Sequence, residues 1–246
     1  MRLDCYLHTN GFFQSREKSR KAVQEGAVEV NGKVITKPSF EVEEGVQISI
    51  IKETNPYVGR GGLKLQGAIE TFGLDLKGLQ ALDVGASTGG FTDCMLQYGA
   101  AFVCACDVGK DQLDPSLRNR EDVLSLEETD IRALAANPEE YGITTKFQFA
   151  SMDVSFISVT KVLPFVKMLM APGAKLVCLV KPQFEVGTMK VGKKGVIRDP
   201  KVHKRVCDDV KAFALSSGYA VLDCIPSPIT GGDGNIEFLA LFIRNT

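Results

Sequence analysis

Ala81-Leu82-Asp83-Val84-Gly85-Ala86-Ser87-Thr88-Gly89-Gly90-Phe91-Thr92 is the stretch whose reading decides the fold. An apolar run enters an acid, passes through a loop of small residues and opens a helix. That order is expected after the first strand of an open α/β sheet, where ligands bind beyond the carboxyl ends of the strands. Gly85, Gly89 and Gly90 tolerate positive φ and let backbone approach a ligand closely. Ser87 and Thr88 offer hydroxyl groups, and the helix starting near Phe91 offers free N–H groups. The plainer alternative is a tight strand-to-helix turn that binds nothing.

The spacing excludes two familiar loops. A dinucleotide fingerprint would need glycine where Ser87 stands, which argues against a nicotinamide-dependent reductase, and no Gly-Lys-Ser/Thr follows as a phosphate loop requires. Asp83 ahead of the first glycine suits a cationic, amine-bearing ligand better than a pyrophosphate. The pattern resembles the first motif of S-adenosylmethionine-dependent methyltransferases. The candidate cofactor residues of this loop are Asp83, Gly85, Ser87, Thr88, Gly89, Gly90 and Phe91.

Downstream the pattern repeats strand by strand. Residues 101–107 form a buried strand ending in Asp107, which lies 24 residues past Asp83. An acid at that strand end bonds ribose hydroxyls in nucleoside-binding α/β folds, because one carboxylate accepts two donors; a helix cap is the competing reading. Residues 123–126 are a third strand, after which Asp130 either meets an adenine amino group or caps the next helix. Residues 147–153 are a fourth strand, ending in Asp153. Residues 174–182 are a fifth: Pro182 ends its ladder, so Lys181 stands at the strand's carboxyl end. Residues 185–196, with Lys190, Lys193 and Lys194, read as a loop over the site. A helix over 199–215 and strands over 219–225 and 237–243 complete the chain. Glu237 opens the last strand and is expected to abut the Gly231-Gly232-Asp233-Gly234 loop rather than the core. His203 is expected to be solvated, beside Lys201 and Lys204.

Upstream, Leu65, Ile69 and Phe72 recur at helical spacing before Gly73, with Lys64 in the first turn, where the helix dipole disfavours a cation. Residues 53–60, with Pro56 and Gly59, read as a linker. Residues 1–52 read as a small domain of their own. Ser15 caps a helix ending before Gly26, and Asn31-Gly32 joins two short alternating strands, a strong hairpin signal. Arg16, Lys18, Arg20, Lys21 and Lys33 could hold a phosphate backbone. Composition does not decide this, since residues 1–60 carry nine basic and eight acidic groups.

The 246 residues carry a net charge of −1, with 44% apolar and 24% charged residues, which is ordinary for a globular protein and gives no global attraction to nucleic acid. Seven cysteines without a Cys-x-x-Cys pair suit a reducing compartment and suggest no metal site. The amino-terminal stretch lacks the apolar core of a signal peptide, and no apolar run is long enough to span a bilayer. A cytoplasmic protein without membrane contact is expected.

Arg2-Leu3-Asp4, Ser15-Arg16, Lys21-Ala22, Gly26-Ala27-Val28 and Val30-Asn31-Gly32 together resemble the S-four-type RNA-binding domain, which implies that Arg16, Lys18, Arg20, Lys21 and Lys33 face structured RNA. Lys64, Asp153, Lys181 and Glu237, in this order and on these elements, resemble the catalytic tetrad of FtsJ-type ribose 2′-O-methyltransferases. With 179–185 and 195–200, the whole chain resembles the TlyA, or hemolysin A, family. The one departure is Asp130, where asparagine is usual, and it bears on the adenine contact alone. The resemblance implies a Rossmann-like class I methyltransferase domain over 61–246, with a mainly parallel seven-stranded α/β sheet, preceded by a small α+β RNA-binding domain. It further implies S-adenosylmethionine as cofactor and ribosomal RNA or ribosomal subunits as partner. The sequence is silent on oligomeric state, and a monomer is the working expectation.

Chemistry accounts for the residue types. A ribose hydroxyl must lose its proton to attack a methyl group, and a lysine can accept it only when neutral. Desolvation and a neighbouring cation, Lys64, would favour the neutral amine of Lys181. Asp153 would orient Lys181, and Lys64 and Glu237 would hold the ribose in line. Two other functions stand as alternatives: an RNA-binding assembly factor without activity, and a membrane-active hemolysin, which the family's other name suggests and which the lack of a spanning segment or a long basic amphipathic helix argues against.

Overall fold

The computed structural model describes residues 1–13, 15–43, 45–51, 55–187 and 195–245. The linker positions 52–54 and the loop lysines Lys190, Lys193 and Lys194 lie outside the described residues. Two compact units are present, Met1–Pro56 and Tyr57–Thr246.

The smaller unit packs helices α1 (Leu3–Thr9) and α2 (Arg16–Gln24) on an antiparallel sheet of β1 (Val28–Val30), β2 (Lys33–Val34) and β3 (Ile48–Ile50), in the order β2-β1-β3. Ser15 accepts a hydrogen bond from the Lys18 N–H as the α2 cap. Asn31 and Gly32, at φ 51° and 76°, make the turn that pairs Val30 with Lys33. Helix α1 is not apparent from the sequence, because it spans seven residues and has no side-chain cap. Its signal is the spacing of Leu3 and Leu7, both fully buried.

The larger unit runs α3 (Gly61–Phe72), β4 (Gln80–Val84), α4 (Gly90–Gln97), β5 (Phe102–Cys106), α5 (Pro115–Arg118), β6 (Val123–Leu126), α6 (Ile131–Ala136), β7 (Phe147–Met152), α7 (Leu163–Leu169), β8 (Met170–Val180), α8 (Pro182–Glu185), α9 (Pro200–Ser216), β9 (Tyr219–Pro226) and β10 (Phe238–Arg244). Its seven strands lie in the order β6-β5-β4-β7-β8-β10-β9. β10 alone runs opposite in direction to the other six strands. Helix α7 is not apparent from the sequence, and β8 begins four residues earlier than the sequence pattern suggests.

Side-chain alternation divides the sheet between two cores. Leu82, Val84, Cys104, Ala150, Met152, Cys178 and Phe242 face a core shared with α6, α7 and α9. Ala81, Val103, Phe149, Val177, Leu179, Leu239 and Leu241 face a core shared with α3 and α4. The same alternation, continued to the strand ends, puts Asp83, Asp153, Lys181 and Glu237 on the α3 side. Because β10 is reversed, its first residues join the carboxyl edge of the parallel strands. The Phe238–Val180 pairing then makes Lys181 and Glu237 neighbours in register.

His203 departs from expectation. It is buried: its Nε2 lies 3.1 Å from the Ile197 carbonyl, and its ring packs edge-on against Phe238. Position 203 falls on the apolar stripe of α9 with Val206, Cys207 and Val210, and that stripe decides its environment more than the flanking lysines do.

Candidate active site

The carboxyl edge of the sheet holds two ion pairs. Lys64 Nζ lies 2.6 Å from Glu237 Oε2, and Lys181 Nζ lies 2.5 Å from Asp153 Oδ1. Lys64 is only 8% exposed, although it sits in the first turn of α3; the Glu237 carboxylate offsets the unfavourable helix dipole there. Glu237 does abut the loop, its Oε1 lying 2.6 Å from where a Cβ on Gly231 would stand, but it is itself 3% exposed, so the expectation that it lies outside the core is corrected: it is a buried position made polar by its lysine. Each lysine thus has its own carboxylate. Lys181 Nζ further donates a hydrogen bond to Ser155 Oγ at 2.8 Å.

Beside the Lys181–Asp153 pair lies a cavity of about 190 Å³, lined mostly by the loop after β4 and the start of α4, with Asp153, Ser155 and Lys181 on its other side. Gly85, Ser87, Thr88, Gly90 and Phe91 all reach it. Gly85 has φ 81°, and a Cβ there would come within 2.4 Å of the Asp153 carbonyl; a Cβ on Gly90 would come within 2.9 Å of the Gly62 nitrogen. These two glycines therefore admit neighbouring backbone as well as lining the cavity. Gly89, at φ 93°, caps α4, and a Cβ there would meet Leu113 and Leu117.

Asp83 does not reach the cavity. Its carboxylate is fully buried, accepting hydrogen bonds from Thr92 Oγ1 at 2.7 Å and Ser151 Oγ at 3.0 Å. Burial pushes it up to about 7, against the two hydroxyl bonds, and the charge of Asp153 adds to the rise. Its place in the site is to tie β4, β7 and α4 together beneath the loop. Asp107 is half-buried, and its two oxygens accept from the Ser87 and Gly109 N–H groups, both at 2.7 Å. Asp130 caps α6 through the Arg132 N–H and pairs with the Arg132 guanidinium, which holds its carboxyl below the usual range.

Four further residues near the site carry no signal in the sequence. Ser155 and Phe156 follow Asp153 directly. Phe156 is 91% exposed, has φ 63° and lies 5.0 Å from the Phe184 ring. A bulky residue exposed in the left-handed region has no packing reason to be there. Glu185 accepts from Ser158 Oγ and the Val159 N–H, which joins α8 to the turn after Phe156. Asn235 is 2% exposed and accepts from the Ile197 N–H while donating to the Gly195 carbonyl. Nothing in their spacing singles them out.

In the smaller unit, the basic residues divide. Arg16 and Arg2 both contact Asp4, which is 1% exposed. The Arg2 guanidinium pulls the Asp4 carboxyl down to about 2 against the opposing effect of burial, and Arg16 adds to the pull. Lys18 donates to the Pro56 carbonyl, and Lys21 is half-buried. Arg20 and Lys33 are exposed and form no ion pair among the described residues.

Comparison with known proteins agrees with this geometry. Residues 57–244 match the model of the FtsJ-like methyltransferases, and residues 1–48 match the S4 domain. The chain is 44% identical over 240 residues to the Bacillus subtilis (strain 168) protein YqxC, covering 97% of this chain and 84% of that one. It is 38% identical over 244 residues to the Mycobacterium tuberculosis (strain H37Rv) 16S/23S rRNA (cytidine-2′-O)-methyltransferase TlyA, covering 99% and 89%. A solved Streptococcus thermophilus chain matches with a TM-score of 0.77 at 40% identity, covering all of this chain and 88% of that one. Among the described residues, no helix is long and apolar enough to cross a membrane.

Proposed function

Since this chain belongs to the FtsJ-like methyltransferase family, we propose that it transfers a methyl group from S-adenosylmethionine to a ribose 2′-hydroxyl of ribosomal RNA, in the cytoplasm and on ribosomal subunits. The observation that carries this reading is the pair of lysine–carboxylate contacts at one edge of the sheet, Lys64–Glu237 and Lys181–Asp153, the second of them lining a cavity formed by the loop after β4.

The residues present fit the cofactor. Asp153 Oδ1 is buried and accepts no hydrogen bond, which suits it to a positively charged sulfonium. Gly85, Ser87, Thr88, Gly89, Gly90 and Phe91 would hold the donor through backbone and hydroxyl groups, with Asp83 supporting them from below. Asp107 would add ribose hydroxyls to its two backbone donors, and Asp130 would meet the adenine amino group. Bound S-adenosylmethionine supplies an electrophilic methyl group.

Lys181 is the base of this reading and takes the 2′-hydroxyl proton. Asp153 holds it at the cavity wall. Lys64 and Glu237 hold the target ribose, the positional share of catalysis. Phe156 offers a flat exposed ring on which a nucleobase can stack. Arg20 and Lys33 offer free charge to the RNA backbone, whereas Arg16 divides its role between RNA and Asp4. The name of the Mycobacterium relative makes cytidine the first nucleotide to examine.

The test is transfer of labelled methyl from S-adenosylmethionine to ribosomal subunits taken from a strain without the protein. Wild type labels the RNA and Lys181→Ala does not. Equal labelling by the two would refute the assignment of the base, and binding of subunits without any labelling would favour an assembly factor.

A further inference from the structure

The two contacts of Lys181 Nζ differ in kind. Asp153 Oδ1 is only 2.5 Å away, yet it receives no hydrogen bond and remains buried without a donor. It provides charge next to Nζ without an aligned hydrogen bond of its own. The hydrogen bond to Ser155 Oγ, at 2.8 Å, does set a direction. The Phe184 ring lies with its electron-rich face towards Nζ, 6.0 Å from ring centre to nitrogen, a weak attraction that singles out no one N–H direction. Ser155, Asp153 and Lys181 all line the cavity. Ser155 in turn sits in a backbone turn whose next residue, Phe156, is held at φ 63°, a conformation that costs free energy and persists only where the surroundings impose it.

We propose that Ser155 is a positioning residue for the proton acceptor. A neutral lysine amine has two N–H bonds and one lone pair. With one N–H fixed on Ser155 Oγ and the charged Asp153 oxygen attracting the other, the lone pair is presented to the cavity. Without Ser155, rotation about the Cδ–Cε and Cε–Nζ bonds lets the lone pair turn away while the charge contact persists. The proton passes from the 2′-oxygen to Nζ, the O–H electron pair stays on oxygen, Lys181 ends as an ammonium and Ser155 stays neutral as its acceptor. This inference rests on the reading of Lys181 as the base.

The experiment compares the full chain with its Ser155→Ala and Ser155→Thr variants, using S-adenosylmethionine and isolated ribosomal subunits. Ser155 is exposed, so its truncation leaves the core intact. Ser155→Ala should lower kcat roughly 10- to 100-fold, the size expected for a misdirected reacting group. KM for both substrates should stay within about twofold, which marks a loss confined to the transition state. Calorimetric affinity for S-adenosylmethionine should also hold, and Ser155→Thr, which keeps the hydroxyl, should recover most of the rate. Raising the pH should not restore Ser155→Ala, since a better-deprotonated amine still points the wrong way. The inference alone is overturned if Ser155→Ala turns over like wild type while Lys181→Ala is dead, if its loss lies in cofactor affinity, if alkaline pH restores it, or if Ser155→Thr is as slow. A wild-type protein that transfers no methyl overturns the inference together with the reading beneath it.

Discussion

Glu237→Leu should cost the larger unit far more than an ordinary surface change, and adding Lys64→Met should return that stability without returning activity. The Lys64–Glu237 contact is 2.6 Å, with side chains 10% and 3% exposed. The glutamate has no room to swing away, since even a Cβ on Gly231 would come within 2.6 Å of its Oε1. Removing one partner of such a pair leaves a buried charge uncompensated, at a cost of about 3–5 kcal/mol. For a unit of this size each kcal/mol lowers the melting temperature by about 2–4 °C, so Glu237→Leu should melt roughly 6–20 °C earlier. Replacing both charges by apolar groups of similar volume is neutral or stabilising, by up to about 4 kcal/mol. Urea and thermal unfolding of wild type, both single variants and the double variant close the cycle. The reasoning fails if Glu237→Leu costs less than about 1 kcal/mol, or if the double variant is no more stable than the single ones.

Three further outcomes follow from individual residues. Asp83 has a native value of about 7 against an ordinary 3.8, so between those limits the native state holds a proton that the unfolded chain has released. Stability should therefore fall as pH rises through about 4 to 7, by at most about 4 kcal/mol, and then level off; Asp83→Asn should flatten that slope in urea midpoints, and an unchanged slope would assign it to another group. Asp4 has the opposite sign, because its native value is lowered: its contribution is full above about 4 and is lost as pH falls towards 2. After discounting for the exposed arginines, Asp4→Asn should cost the smaller unit about 1–2 kcal/mol at neutral pH, and a variant with a wild-type urea midpoint would show the pairs to be energetically idle. Phe156→Gly should leave stability within about 1 kcal/mol, since the ring is exposed and its φ strained, yet slow methyl transfer to RNA at unchanged cofactor affinity; equal rates would remove the ring from the substrate site.

The framework of the larger unit is legible because period-two apolar runs ending in charge are rare for any reason except a sheet edge that binds something. Asp153 and Lys181 stand out that way, and Pro182 fixes where β8 must stop. The pairing of Lys64 with Glu237 is legible only through resemblance, for 173 residues separate them and α3 reaches β10 only in three dimensions. The direction of Asp83 is hidden for a different reason. Alternation assigns it a face, but the hydroxyls that enclose it come from β7 and α4. Ser155 is harder still, since a serine beyond a strand end is ordinary and its importance lies in one hydrogen bond. His203 reads as surface because its neighbours are lysines, whereas the helical stripe through Val206 and Val210 carries it inward.

The most direct test of the whole account is the chemical position of the added methyl group. After transfer to ribosomal subunits and complete digestion of the RNA, nucleoside mass spectrometry should find the label on ribose as a 2′-O-methyl nucleoside, with none in the Lys181→Ala reaction. A label on a base, or a ribose label that survives loss of Lys181, would contradict the site described above.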